Sequence, residues 1–120
     1  YYFEENYCAE SAALAVIFIA NLVSQTKQSL SELIAPIKRY VASGEINSKV
    51  ADTYAVFSRL RENYPQAQFE ELDGLTVILP DWWFNVRSSN TEPLVRLNLE
   101  AQDQTTMEAK RDEVLDIIRA

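Results

Sequence analysis

The chain has 120 residues, 48% of them hydrophobic, which is enough for one compact core and at most a small appendage. A formal net charge of -7 and a pI near 4.5 argue against non-specific binding to nucleic acid or to anionic membranes, yet leave room for one local basic site. A single cysteine and the lack of any histidine exclude an internal disulfide, histidine-based acid–base catalysis and most zinc sites, and the lone thiol fits a reducing cytoplasm.

The chain starts Tyr1-Tyr2-Phe3, with no cationic n-region, and does not read as a signal peptide. Tyr1 to Phe3 fits the end of a strand. From Ala9 to Val23 the run AESAALAVIFIANLV predicts a helix, uninterrupted by glycine or proline. That helix is apolar nearly all round and calls for burial on several sides. Its apolar stretch from Ala12 to Ala20 is far shorter than the ~20 residues a membrane span needs. Ser29 to Leu33 predicts a short helix with a capping box of Ser29 and Glu32, ended by Pro36. Ile37 to Val50 reads as extended and broken near Ser43-Gly44, with GEINSK as the lead-in to a strand. Asp52 then caps a helix that runs to about Asn63 and closes at Pro65.

In AQFEELDGLTVILP the pair Asp73-Gly74 signals a hairpin between two alternating runs. DWWFNVR and PLVRLNLEA give two more strands. A closing helix from Thr105 or Thr106 to Ile118 carries the apolar stripe Met107, Val114, Leu115 and Ile118. The expected class is α+β: a mostly antiparallel sheet of about four strands, covered on one face by two helices. A boundary is expected near residues 36 to 38.

The stretch FNVRSSNTEPLVRL, residues 84 to 97, carries the chemistry. Strand alternation puts Phe84, Val86, Val95, Leu97 and Leu99 on the core face, and Arg87 and Arg96 on the other face or at the rim. Between them, Ser88 to Thr91 must turn the chain. Turns of small polar residues expose backbone N–H groups that can converge as a nest for phosphate oxygens. Ser89 and Thr91 add hydroxyl donors, Asn90 an amide, and Arg87 a planar charged fork. Pro93 holds Glu92 extended and stiffens the exit. Glu92 would repel an anion, so its carboxylate is expected to orient an arginine or cap loop amides. The bland alternative is a connector whose polar groups satisfy only one another.

Other features favour plain readings. Adjacent Trp82 and Trp83 must point to opposite faces, one into the core and the other possible rim material for a ligand cleft. The pairs Glu4-Glu5 and Glu70-Glu71 read as solvated, and Cys8 as a small buried apolar residue or one newly exposed by truncation.

RSSNTEPLVRL, Arg87 to Leu97, resembles the C-terminal phosphate-binding loop of the α-D-phosphohexomutase superfamily, with the pattern R-x-S-[GN]-T-[ET]-P followed by an apolar-basic strand. Asn90 in the glycine position is closer to the phosphomannomutase/phosphoglucomutase branch than to the phosphoglucosamine mutases. LDGLTVILPDWWFNVR, RYVASGEINSKV and YYFEENYCAESAALAVIFIANLVS resemble neighbouring stretches of the same family, so the likeness covers essentially the whole chain.

The resemblance implies a TBP-like fourth domain over 38–120, preceded over 1–37 by a helical remnant of the third, α/β domain. It implies a parent enzyme that interconverts hexose 1-phosphate and hexose 6-phosphate, of mannose or glucose, through a phosphoserine and a bisphosphate intermediate, with Mg2+ held in another domain. By the same resemblance Arg87, Ser89, Asn90 and Thr91 contact the phosphate that is not reacting. Ser88 offers its amide and Arg96 supports from the next strand. No serine here lies in the family's catalytic context, and no aspartate triplet matches its metal loop, so this stretch alone is expected to be inactive. Partners are then hexose phosphates rather than nucleic acid or membrane, with self-association through the apolar first helix. The alternatives are a phosphoglucosamine mutase fragment and a non-enzymatic ligand- or partner-binding module.

Overall fold

A computed structural model describes every residue from Tyr1 to Ala120. The chain forms two compact units, Tyr1–Lys38 and Arg39–Ala120.

In the first unit, β1 (Tyr2–Phe3) pairs antiparallel with β2 (Ala9–Glu10) around a single 3-10 turn. Because Ala9 and Glu10 join this ladder, helix α1 begins later than the propensity of AES suggests, at Ala12, and runs to Thr26. Ser11 caps it, its hydroxyl accepting from Leu14 N at 3.2 Å. Phe3 stacks on Phe18 of α1, ring centroids 5.4 Å apart. Val16, Ile17, Phe18, Ile19 and Leu22 remain exposed, as an all-round apolar helix with one light neighbour must. Cys8 is exposed too, at a positive φ. Helix α2 (Leu30–Ile34) carries the expected capping box of Ser29 and Glu32. No helix of the chain is long and apolar enough to cross a membrane.

The second unit is α+β. Its strands are β3 (Val41–Ala42), β4 (Ile46–Lys49), β5 (Gln68–Glu70), β6 (Leu75–Ile78), β7 (Trp82–Ser88) and β8 (Leu94–Ala101). They form one antiparallel sheet in the order β3-β8-β7-β6-β5, and β4 also pairs with β8. β5, β6, β7 and β8 are the strands read from alternation. β3 and β4 add two short edge segments, the extended lead-in broken where expected. At that break Ser43 substitutes for a ladder residue: its N–H donates to Leu99 O at 2.8 Å and its Oγ accepts from Leu99 N at 3.0 Å. Gly44 then turns the chain with φ +70.

Helices α3 (Thr53–Asn63) and α4 (Gln104–Arg119) cover one face. Asp52 caps α3 by accepting from the N–H groups of Tyr54 and Ala55, and Asp103 caps α4 by accepting from Thr106 N. The helices bury Val56, Leu60, Met107, Val114, Leu115 and Ile118 against Leu75, Val77, Phe84, Val86, Val95, Leu97 and Leu99. Each fully buried side chain of this kind contributes about 1.5–3 kcal/mol. Tyr64, Trp82 and Phe84 form an aromatic cluster at one end, with centroids 5.5–5.6 Å apart. Arg59 reaches across from α3 to the last carbonyls of α4, Ile117 O and Ile118 O, capping that helix C-terminus. This packing leaves the other sheet face open, and that face carries Arg87 and Arg96.

Candidate functional site

Strand register builds the site. β7 and β8 pair from Trp82↔Ala101 through Ser88↔Val95, which puts Arg87 directly opposite Arg96 on the open face. Their neighbours Val86, Val95 and Leu97 are fully buried on the other face. The loop from Ser89 to Pro93 closes over the end of this strand pair. Arg87, Ser88, Ser89, Asn90, Thr91 and Arg96, with Asp73 and Gly74, line a cavity of ≈ 250 Å³. Every sequence-predicted site residue therefore lies around one concavity, large enough for a phosphate group.

The neighbouring hairpin shapes the other wall. Gly74 has φ +77, and a Cβ there would fall 2.4 Å from Val86 O and 2.7 Å from Arg87 Cα. Only glycine permits this close approach. Asn85 Nδ2 donates to Asp73 O at 2.8 Å and to Thr76 Oγ1 at 3.0 Å, pinning the turn against β7. The Asp73 carboxylate is thereby delivered to the rim, 3.4 Å from Arg87 Nη1.

Two acidic residues that sequence reasoning missed as site components hold the arginines. Glu45 Oε2 accepts from Arg87 Nη2 at 3.0 Å, and its Oε1 lies 3.7 Å from Arg96 Nη1. The hydrogen bond to Glu45, with the Asp73 charge behind it, pushes the Arg87 guanidinium above its ordinary value against a smaller effect of desolvation. Glu45 sits between the Gly44 turn and β4, where Ile46 faces the core opposite Leu97, so Glu45 falls on the open face. The available signal was electrostatic: two arginines placed on one face by alternation need a counter-ion. The expectation for Glu92 is corrected. Its carboxylate makes no hydrogen bond or ion pair, and the orienting role falls to Glu45, because Pro93 and the loop exit carry Glu92 outward to an exposed position.

The loop's own donors divide. Ser89 N–H is spent on Leu94 O at 2.9 Å, which closes the loop base. Thr91 N–H donates to Ser89 Oγ at 3.4 Å, a long bond, and the two hydroxyls lie 3.4 Å apart. The amides of Asn90 and Glu92 have no partner in the protein, and neither do the shielded Nε atoms of Arg87 and Arg96. The Asn90 amide, the Ser89 and Thr91 hydroxyls and the two arginines, all on residues lining one hollow, suit a tetrahedral oxyanion. They do not suit a cation: no three His, Cys, Asp or Glu side chains converge anywhere in the chain, so its residues do not fit a magnesium site.

Trp82 is buried and Trp83 half-buried on the open face, as adjacency required. Trp83 borders a shallow depression with Thr76, Asn85, Asn98 and Glu100, which shares Asp73 and Arg87 with the cavity beneath the loop. Of the acidic pairs, Glu71 meets Arg61 on the surface.

Residues 45–117 match the family model described as phosphoglucomutase/phosphomannomutase, C-terminal domain. A phosphomannomutase of Methanocaldococcus jannaschii is 42% identical over 98% of this chain and 26% of its own length. A phosphohexose mutase of Xanthomonas campestris pv. campestris is 38% identical over 99% and 28%, and a phosphomannomutase of Escherichia coli 35% identical over 99% and 27%. The chain thus spans about a quarter of the length of these relatives. A crystal structure of a phosphoglucomutase/phosphomannomutase family protein from Burkholderia thailandensis superposes with a TM-score of 0.56, at 26% identity, over 73% of this chain and 19% of that one.

Proposed function

Because this chain belongs to the phosphoglucomutase/phosphomannomutase C-terminal-domain family, we propose that its cavity binds the phosphate of a hexose phosphate. In the parent protein it would hold the phosphate that is not reacting while a hexose 1-phosphate and its 6-phosphate isomer interconvert through a phosphoserine and a bisphosphate intermediate. Arg87 supplies the charged fork. Ser89 and Thr91 supply hydroxyls, Asn90 its amide groups, and Ser88 and Arg96 flank them. The observation that carries this reading is that Arg87, paired opposite Arg96, lines one cavity with Ser88, Ser89, Asn90 and Thr91.

The contribution is positioning. Phosphoryl transfer is governed largely by orientation and charge stabilisation, and binding a remote phosphate supplies orientation. The magnesium and the phosphoserine of such a reaction belong to other parts of the parent protein. The isolated chain is therefore expected to bind phosphosugar weakly, since a single phosphate contact forgoes the rest of the cleft, and to leave mannose 1-phosphate unconverted.

The test is a titration of the 15N-labelled chain with inorganic phosphate and with mannose 1-phosphate. Saturable shifts at Ser89 to Thr91 are expected, and Arg87→Ala should abolish them with the fold intact. Shifts that persist in Arg87→Ala, or that fall elsewhere, would favour the reading as a partner-binding module instead.

A further inference from the structure

Residues directly opposite on antiparallel strands have Cβ atoms roughly 4.5–5.5 Å apart, and like charges so placed repel. Arg87 and Arg96 are such a pair. Left alone, their side chains would swing apart, and a cavity that needs both would lose its floor. Instead both point to one carboxylate. Glu45 spends one oxygen on each guanidinium, Oε2 at 3.0 Å from Arg87 and Oε1 at 3.7 Å from Arg96. All three side chains are about equally exposed, at 38%, 37% and 35% for Glu45, Arg87 and Arg96. Glu45 itself does not line the cavity. It stands behind the arginines, on the short segment that Ser43 and Gly44 bend into place.

We propose that Glu45 is a positioning residue for anion binding, acting through the two arginines rather than on the ligand. This rests on the phosphate-binding reading of the same cavity. The Glu45 carboxylate cancels the mutual repulsion and fixes both forks before the anion arrives, so binding need not immobilise two long side chains. Asp73 differs: it lines the cavity and meets Arg87 from the ligand side.

The sign of the effect distinguishes this from simpler accounts. Glu45→Ala removes a negative charge near the cavity, so charge alone would make phosphate bind tighter. A merely structural residue would lower Tm and leave Kd unchanged. Positioning requires weaker binding, by roughly tenfold, as both guanidinium groups regain their rotamer freedom. Inorganic phosphate is titrated into the full 15N-labelled chain, read at the amides of Ser89 to Thr91 and at Arg87 Nε–H, with Tm measured in parallel. Glu45→Gln keeps one acceptor and should fall between wild type and Glu45→Ala. In an Arg96→Gln background the repulsion is gone, and the Glu45→Ala effect should shrink to less than about threefold.

Unchanged or tighter binding by Glu45→Ala, or an undiminished loss in the Arg96→Gln background, overturns the proposal. If Glu45→Ala does not fold, wild-type affinity in Glu45→Gln overturns it. A wild-type chain whose loop ignores phosphate removes the phosphate-binding reading and the proposal together. A wild-type response with indifferent Glu45 variants removes only the positioning role.

Discussion

Gly74 and Arg87 are locked backbone to backbone: a Cβ on Gly74 would lie 2.7 Å from Arg87 Cα and 2.8 Å from its Cβ. The hairpin turn and the arginine are therefore one mechanical unit. Gly74→Ala should destabilise the chain by about 2–4 kcal/mol, through a positive φ and a clash with β7 that no side-chain rotation relieves. The part of the protein that must yield is the strand segment carrying Arg87, so phosphate affinity should fall as well. Urea denaturation and the phosphate titration measure the two effects. A stable Gly74→Ala chain with wild-type affinity would show that the turn and the arginine are independent.

Asp73 is an internal competitor. Its carboxylate is 75% exposed and sits 3.4 Å from Arg87 Nη1, and Asp73 itself lines the cavity. Asp73→Asn removes an anion from the ligand's side without touching the Glu45 contact. Phosphate should bind about two- to fivefold tighter at low salt, and the gain should fade as ionic strength rises. Weaker binding in Asp73→Asn would mean that Asp73 orients Arg87 rather than opposing the ligand.

The aromatic end of the core gives the fold an alkaline limit. Burial, then the hydrogen bond to Glu113 at 2.8 Å and the charge on that carboxylate, push the Tyr64 hydroxyl well above its ordinary value of 10.0. A group whose folded pKa is raised contributes stability that is complete below its unfolded pKa and is lost as pH rises toward the folded one. Unfolding free energy should thus decline from pH 10 upward. Tyr64→Phe should be less stable at neutral pH, having lost the hydrogen bond, yet show a shallower alkaline decline. Denaturant midpoints between pH 7 and pH 11 would measure this, and identical slopes in both chains would refute it.

Much of the second unit was legible because its signals are local. Alternation in DWWFNVR and PLVRLNLEA assigned the faces of Phe84, Val86, Arg87, Val95 and Arg96. Asp52 announced α3, and Asp73-Gly74 announced the turn. Two features were not legible. Ala9 and Glu10 look helical by propensity, but pairing with Tyr2 and Phe3 draws them into a ladder, a tertiary choice that no window average contains. Glu45 lies 42 residues before Arg87 and reaches it only because β4 pairs with β8 in one particular register. The nearer carboxylate, Glu92, drew the role on sequence proximity, and the backbone took it elsewhere.

β3 and β4, residues 41 to 49, have a single partner strand, β8, which ends at Ala101. During synthesis on the ribosome these early segments must wait, bare, while some fifty further residues emerge. Glu45 waits with them. The arginine pair and its clamp are thus completed together, late, when the last strand arrives, and pairing across so long a separation slows the folding of the whole unit.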